Sequence, residues 1–193
     1  ELERIKLSCN WMAACGEPGE DAALFDTVAA VAMELCPALG VGVPVGKDSL
    51  SMRTTWTDES GQGRKVVAPV SLVVTAFAAL PDVRGTLTPQ LRGEGSDLVL
   101  VDLGAGKNRL GGSILAQVSG GFGGAVPDLD DPARLRSLDA AMADLRDRDL
   151  ISAYHGRSDG GLWATVCEMA FAGRVGVQLG LPAGRSDADV LRA

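Results

Sequence analysis

The sequence predicts an α/β protein. Short valine-rich segments of strand length alternate with helical patterns, and glycine or proline punctuates nearly every join between them. Of the 193 residues, 46% are hydrophobic and 22% charged. That apolar share is spread along the whole chain, which excludes a disordered or low-complexity class. The length allows one large domain or two small ones.

The elements follow in order. Residues 18–38, PGEDAALFDTVAAVAMELCPA, place Leu24, Val28, Val31 and Leu35 at spacings of four, three and four. That is one face of a helix. Pro18, Glu20 and Asp21 favour its start, and Pro37 and Gly40 its end. VGVPV reads as a short strand, and GKDSLSM as a polar turn after it. RTTWTDESGQGRK has turn composition between strand-like flanks, the pattern of a hairpin. Residues 66–80, VVAPVSLVVTAFAAL, read as a mostly buried strand interrupted at Pro69. Pro81, Gly85, Pro89, Gly93 and Gly95 form a dense breaker cluster, and the domain boundary falls there, dividing 1–83 from 84–193.

Beyond the boundary, SDLVLVDLG reads as a buried strand and GKNRLGGSILAQV as a glycine-rich turn opening a short helix. GGFGGAVPDLDD is a loop. An amphipathic helix is expected over 131–148, with Leu135, Leu138, Met142 and Leu145 on one stripe. ISAYH is a strand, and HGRSDGG opens a helix over 159–172 that would bury Leu162, Val166, Met169 and Ala170. GVQLGL is strand-like.

Charge narrows the partners. A net charge of -7 and a pI near 4.7, with no lysine or arginine run longer than two, argue against nucleic acid. A small anionic ligand stays open, because backbone dipoles hold anions in acidic proteins too. No apolar run reaches the roughly 18–20 residues of a bilayer span, and the opening ELERIK has no signal-peptide pattern. A cytoplasmic location without membrane partners is therefore expected. Cys9, Cys15, Cys36 and Cys167 have neither C-x-x-C nor zinc spacing. Reduced thiols fit that compartment, with Cys36 and Cys167 read as core and none in a nucleophile-like context. The start without methionine and the end in RSDADVLRA, a helix just beginning, lead us to expect a piece of a longer chain.

Three motifs offer chemistry. In GKDSLSM, Gly46 frees the backbone, Lys47 brings a cation, Asp48 an acceptor, and Ser49 and Ser51 hydroxyls. Such a loop holds a phosphate or a nucleotide's metal, or is an ordinary polar turn; it is not a Walker A loop. Gly111 and Gly112 inside a helical pattern cost about 1 kcal/mol each against alanine, which points to close backbone packing or ligand approach. HGRSDGG holds the only histidine, His155. Ser158 or Asp159 can cap the next helix, while Gly160 and Gly161 let a ligand reach its N–H groups. Simple capping beside a structural histidine is equally open. One histidine among many serines specifies no catalytic triad.

Three longer segments carry a resemblance. NWMAACGEPGEDAALFDTVAAV, LGVGVPVGKDSLSM and HGRSDGGLWATVCEMAFAG closely resemble the large, single-chain phosphoribosylformylglycinamidine synthases (FGAR amidotransferases). SLVVTAFAALPDVRGTLTPQL and LVLVDLGAGKNRLGGSILAQV are similar to the same family in the same order, so the likeness spans essentially all 193 residues. It implies an aminoimidazole ribonucleotide synthetase-like fold, here a partial first subdomain and most of the second, C-terminal one. It also implies ATP, magnesium and glutamine chemistry that makes formylglycinamidine ribonucleotide from formylglycinamide ribonucleotide in purine synthesis. The expected partners are nucleotide substrates and the remaining domains of the same polypeptide, a glutaminase included. The isolated chain is expected to be inactive.

The family pattern at the histidine is His-Asp-x-Ser-Asp-Gly-Gly-Leu, and here its second position is Gly156. The resemblance assigns that aspartate to nucleotide-bound magnesium and the serine to the nucleotide. Ser158 matches and inherits its role; the aspartate role does not carry over to Gly156, and Asp159, three positions along, is open either as a substitute or as a helix cap. Two alternatives accompany the ligase reading: an auxiliary nucleotide-binding module that is structural, and a stand-alone ATP-dependent kinase of the wider superfamily.

Overall fold

A computed structural model describes residues 2–92, 95–157 and 159–180. The chain divides into two units, Glu1–Asp82 and Val83–Ala193, each treated by itself. The first is built around strand β1 (Lys6–Met12), which is followed by α1 (Glu20–Val28), a π-type segment (Ala29–Leu35) and α2 (Cys36–Leu39). Strand β2 (Gly42–Ser49) then returns parallel to β1, and β5 (Ser71–Phe77) pairs antiparallel on its other side, giving the order β2-β1-β5. Between them β3 (Arg53–Thr57) and β4 (Gly63–Val67) form the expected antiparallel hairpin. Two parallel neighbours joined through a helix make a βαβ unit. Its core gathers on the central strand and on α2: Cys9, Trp11, Ala13, Ala14, Cys36 and Leu39 are buried.

The helix spans the residues its periodicity predicts, but Pro37 does not end it. Pro37 sits inside α2, and upstream the Cys36 N–H donates to Val31 O, five residues back. A proline ring crowds the carbonyl four residues before it and offers no N–H; widening the preceding turns to π geometry accommodates both defects. Gly40 is the true stop. Its φ of 72° is left-handed, and Gly40 N–H to Pro37 O (3.2 Å) with Val41 N–H to Cys36 O (3.0 Å) closes a Schellman cap.

Two expectations about this unit need correction. Glu20–Leu39 is one 20-residue helix with an 18-residue window of mean hydropathy 1.6, long and apolar enough to cross a membrane by length and composition. It is, however, the crossover between two hydrogen-bonded parallel strands, and its last turn is buried at Cys36 and Leu39. We draw no membrane role from it. The strand over 66–80 does break around Pro69, into β4 and β5, yet it is not mostly buried: Val66, Val73, Val74 and Phe77 are exposed. β5 is an edge of a three-stranded sheet, so burial falls on β1 instead.

The second unit holds α3 (Ile114–Val118), α4 (Pro132–Asp147) and α5 (Gly161–Gly173). Both expected long helices are present, and each start has a local cause. Asp131 Oδ1 accepts from Ala133 N–H (2.9 Å) at the cap of α4, with Pro132 behind it. Ser113 Oγ accepts from Ala116 N–H (3.2 Å) at the cap of α3. The strands expected in SDLVLVDLG, ISAYH and GVQLGL are absent among the described residues. Leu98, Val99, Leu100 and Val101 are exposed, and near ISAYH one bond, Tyr154 N–H to Thr88 O (3.0 Å), stands where a ladder was expected. A strand exists only where a second backbone edge satisfies its donors and acceptors.

Candidate functional site

Gly46, Lys47, Asp48 and Ser49 were read as a turn; they are the last four residues of β2. They pair in register with Cys9, Asn10, Trp11 and Met12. Pairing with β1 makes this segment the end of an edge strand and not a loop. Alternation along the strand puts Lys47 and Ser49 on one face, and Lys47 Nζ donates to Ser49 Oγ (2.7 Å). Gly46 is needed for closeness: a Cβ there would lie 2.5 Å from Cys9 O. Its glycine serves strand packing.

The turn before α5 keeps more of its expected character. Ser158 lies outside the described residues. The N-cap is Gly160, left-handed at φ 87°, with no side-chain cap bond, so Asp159 does not cap α5. Gly161 follows at φ 64°. Two consecutive glycines fit because this double left-handed turn is strained for any residue with a Cβ. The result is the N-terminus of a 13-residue helix whose first N–H groups meet no capping side chain among the described residues, the arrangement that attracts anions. Behind it, α5 buries Thr165, Val166 and Met169, with Leu162 and Ala170 half-buried.

Side chains around this turn are tied in ways the sequence did not announce. His155 Nε2 lies 2.6 Å from Glu168 Oε2, which pins the start of the turn to the second turn of α5. The seven-residue spacing from Gly161 to Glu168 is two helical turns and was the one available signal. Asp102 Oδ1 accepts from Gly104 N–H (2.9 Å) and Oδ2 from Gly106 N–H (2.6 Å). Its carboxyl is held below the usual carboxylate range, chiefly by the Gly106 N–H, then by Gly104 N–H and the charges of Arg157 and Arg134. Arg157 Nη2 stands 3.8 Å from Asp102 Oδ1, linking the DLGAG loop to the HGRSD turn.

Nearby, Lys107 and Arg109 both bind Asp130 (2.8 and 2.9 Å), just before the α4 cap. Their two hydrogen bonds lower its pKa. Gly111 packs against a loop: its N–H donates to Ala125 O (2.8 Å), and a Cβ there would lie 2.3 Å from Gly124 O. Of the two readings for this glycine, close backbone packing is the one observed.

The thiols are not poised for chemistry. All four cysteines are free. Burial pushes the Cys9 and Cys36 thiols up, as do desolvation and then neighbouring Asp21 at Cys15. Cys9 rather than Cys167 joins Cys36 in the core; Cys167 is half-buried.

The turn does not suit a magnesium ion. Gly156 offers no carboxylate, although a Cβ there would meet nothing within 4 Å. Among the described residues, no group of three or more His, Cys, Asp or Glu converges to hold a metal. Magnesium wants several oxygen ligands in near-octahedral array.

Fold and sequence define the class. Residues 93–191 match the C-terminal domain of AIR synthase related proteins, and the chain belongs to that superfamily of ATP-using enzymes. Residues 1–79 match the FGAR-AT PurM_N-like domain. Together, in this order, the two matches fit the synthetase core of FGAR amidotransferase, a ligase family of purine biosynthesis.

Proposed function

We propose that this chain serves in the ATP- and glutamine-dependent conversion of formylglycinamide ribonucleotide to formylglycinamidine ribonucleotide. The observation that carries the reading is the succession of the two domain matches along one chain. The double-glycine N-terminus of α5 supports it, because it offers backbone donors to a nucleotide phosphate. Lys47, Asp48 and Ser49 are a separate candidate in the first unit, offering side chains from the end of β2 rather than from a loop. The reaction is amide activation: ATP phosphorylates the substrate's amide oxygen, then ammonia adds at that carbon and the phosphate leaves. Remaining domains of the same enzyme, a glutaminase among them, supply the ammonia in the cytoplasm. Magnesium enters this reading only through carboxylates outside the 155–161 turn.

A second reading is favoured by Gly156 and the His155–Glu168 pair: the turn holds a nucleotide structurally and is not the phosphoryl-transfer centre. One experiment addresses both. This chain alone should form no amidine from formylglycinamide ribonucleotide, ATP and either glutamine or ammonia; reconstituted with the family's other domains it should. Activity that survives His155→Ala, with nucleotide retention lost, selects the structural reading. Amidine formed by the chain alone overturns the shared-core proposal.

A further inference from the structure

We propose that the outer face of the Glu20–Leu39 helix docks a helix of a partner protein, one that carries apolar side chains between lysine or arginine flanks. The inference goes beyond the ligase reading and does not depend on it.

The helix is far more apolar than its surroundings require. Only 11% of its most apolar window is buried, whereas a helix apolar on all sides belongs in a core or against a partner. One stripe, Leu24, Val28, Val31 and Leu35, is half-buried, and Cys36 and Leu39 are buried. That accounts for one side. On the other, Phe25 is 73% and Met33 75% exposed. Three residues before each stands an exposed alanine, Ala22 and Ala30, and residues three apart are neighbours on a helix surface. A large side chain beside a small one makes the ridge and groove into which a second helix packs. Aromatic residues and methionine are also the types that interfaces enrich.

Charge selects the occupant. The helix carries Glu20, Asp21, Asp26 and Glu34, and no lysine, arginine or histidine. Asp26 follows Phe25 and Glu34 follows Met33 in the chain, and both carboxylates are exposed. A second copy would set these acids against themselves, on a chain of net charge -7. An anionic bilayer is repelled in the same way, and the helix is already fixed as the crossover between β1 and β2. A helix with an apolar seam and basic flanks covers Phe25 and Met33 while its cations meet the acids at their rim.

The probe is a fluorescein-labelled peptide about as long as this helix, with leucine and alanine in its seam and lysine on its flanks, read by anisotropy as the full chain is added. The same peptide with glutamate flanks is the control. The lysine peptide should bind the tighter by about tenfold or more, and Phe25→Ser with Met33→Ser should weaken it by a similar factor. Asp26→Asn with Glu34→Gln, which leaves the apolar residues in place, should cost about threefold and flatten the salt dependence. All four positions are exposed, so circular dichroism should be unchanged. If the serine pair binds like wild type, the peptide senses only net charge and the inference is overturned. Absence of binding by the lysine peptide overturns it too. A dimer of the chain in sedimentation velocity that the serine pair dissociates gives the face to a second copy. Flotation with phosphatidylcholine–phosphatidylserine vesicles that the pair abolishes gives it to a membrane. Either result overturns the partner helix, and none of these outcomes bears on amidine formation.

Discussion

Strand β1 and the segment Leu98–Asp102 are similar stretches of chain with opposite outcomes. KLSCNWM lies between two partners, parallel β2 and antiparallel β5, and buries Cys9 and Trp11. LVLVD is the more apolar of the two, yet it has no ladder and Val99 is 77% exposed. The difference is the supply of edges. Valine and leucine raise the preference for extended backbone by tenths of a kcal/mol, whereas an unpaired backbone group must find water or another partner. The first unit supplies β1 with two neighbours; the second supplies Leu98–Asp102 with none among its described residues.

Hydrogen exchange should show the largest contrast. Amides of Leu7–Trp11 that bond across the sheet should be slower than those of Leu98–Val101 by a factor on the order of 10³, since exposed unpaired amides open at almost no cost. Comparable protection in both segments would mean that LVLVD pairs in solution, and the comparison would break.

Substitution should give the next largest effect. Trp11 is 8% exposed, so Trp11→Ala should destabilise the first unit by about 3–5 kcal/mol. Its Nε1 is buried with no partner, so Trp11→Phe, which removes that orphan donor, should cost far less than the alanine change. Val99→Thr should stay within about 0.5 kcal/mol, as exposed positions do. Denaturant melts of the three variants measure this; a Val99→Thr loss as large as Trp11→Ala sinks the assignment of LVLVD as unpaired.

The same contrast explains what could be read from the sequence. Signals that act within a few residues were legible: the 24, 28, 31, 35 spacing of the first helix, Asp131-Pro132 at the start of α4, and the DESG turn between β3 and β4. Signals that depend on a distant segment were not. Nothing in GKDS tells that β1 will pair with it and turn a loop into a strand end. Nothing in LVLVD tells that its partner is missing. At the site, the paired glycines at 160 and 161 were legible as an opening at the helix start, but the left-handed backbone they adopt was not. The His155–Glu168 and Asp102–Arg157 contacts span 13 and 55 positions and needed the fold. Asp159 looked like a cap because Asp is a good one; the left-handed Gly160 shifted the helix start past it.

The smallest effect concerns two carboxylates with the same job, one in each unit. In the β3–β4 turn, Asp58 Oδ1 accepts from Ser60 Oγ (2.6 Å), Ser60 N–H (3.0 Å) and Gln62 N–H (2.9 Å), while Oδ2 accepts from Arg64 Nε (2.7 Å). The Ser60 hydroxyl, Gln62 N–H and Arg64 lower its pKa from 3.8 to about 2. Asp102 closes its own loop in the second unit, and its pKa is lowered as well. For a carboxylate with a depressed folded pKa, the stabilisation is whole above the unfolded value and is lost as pH falls through the folded one. The gap in hairpin stability between wild type and Asp58→Asn should therefore be constant above about pH 4 and close as pH approaches about 2. Asp102→Asn should behave in the same sense in the second unit. Amide shifts of Gln62 and Gly106 followed through an acid titration would report the two loops separately. A gap that persists undiminished at pH 2 means the Asp58 charge contributes nothing to the turn, and only its shape does.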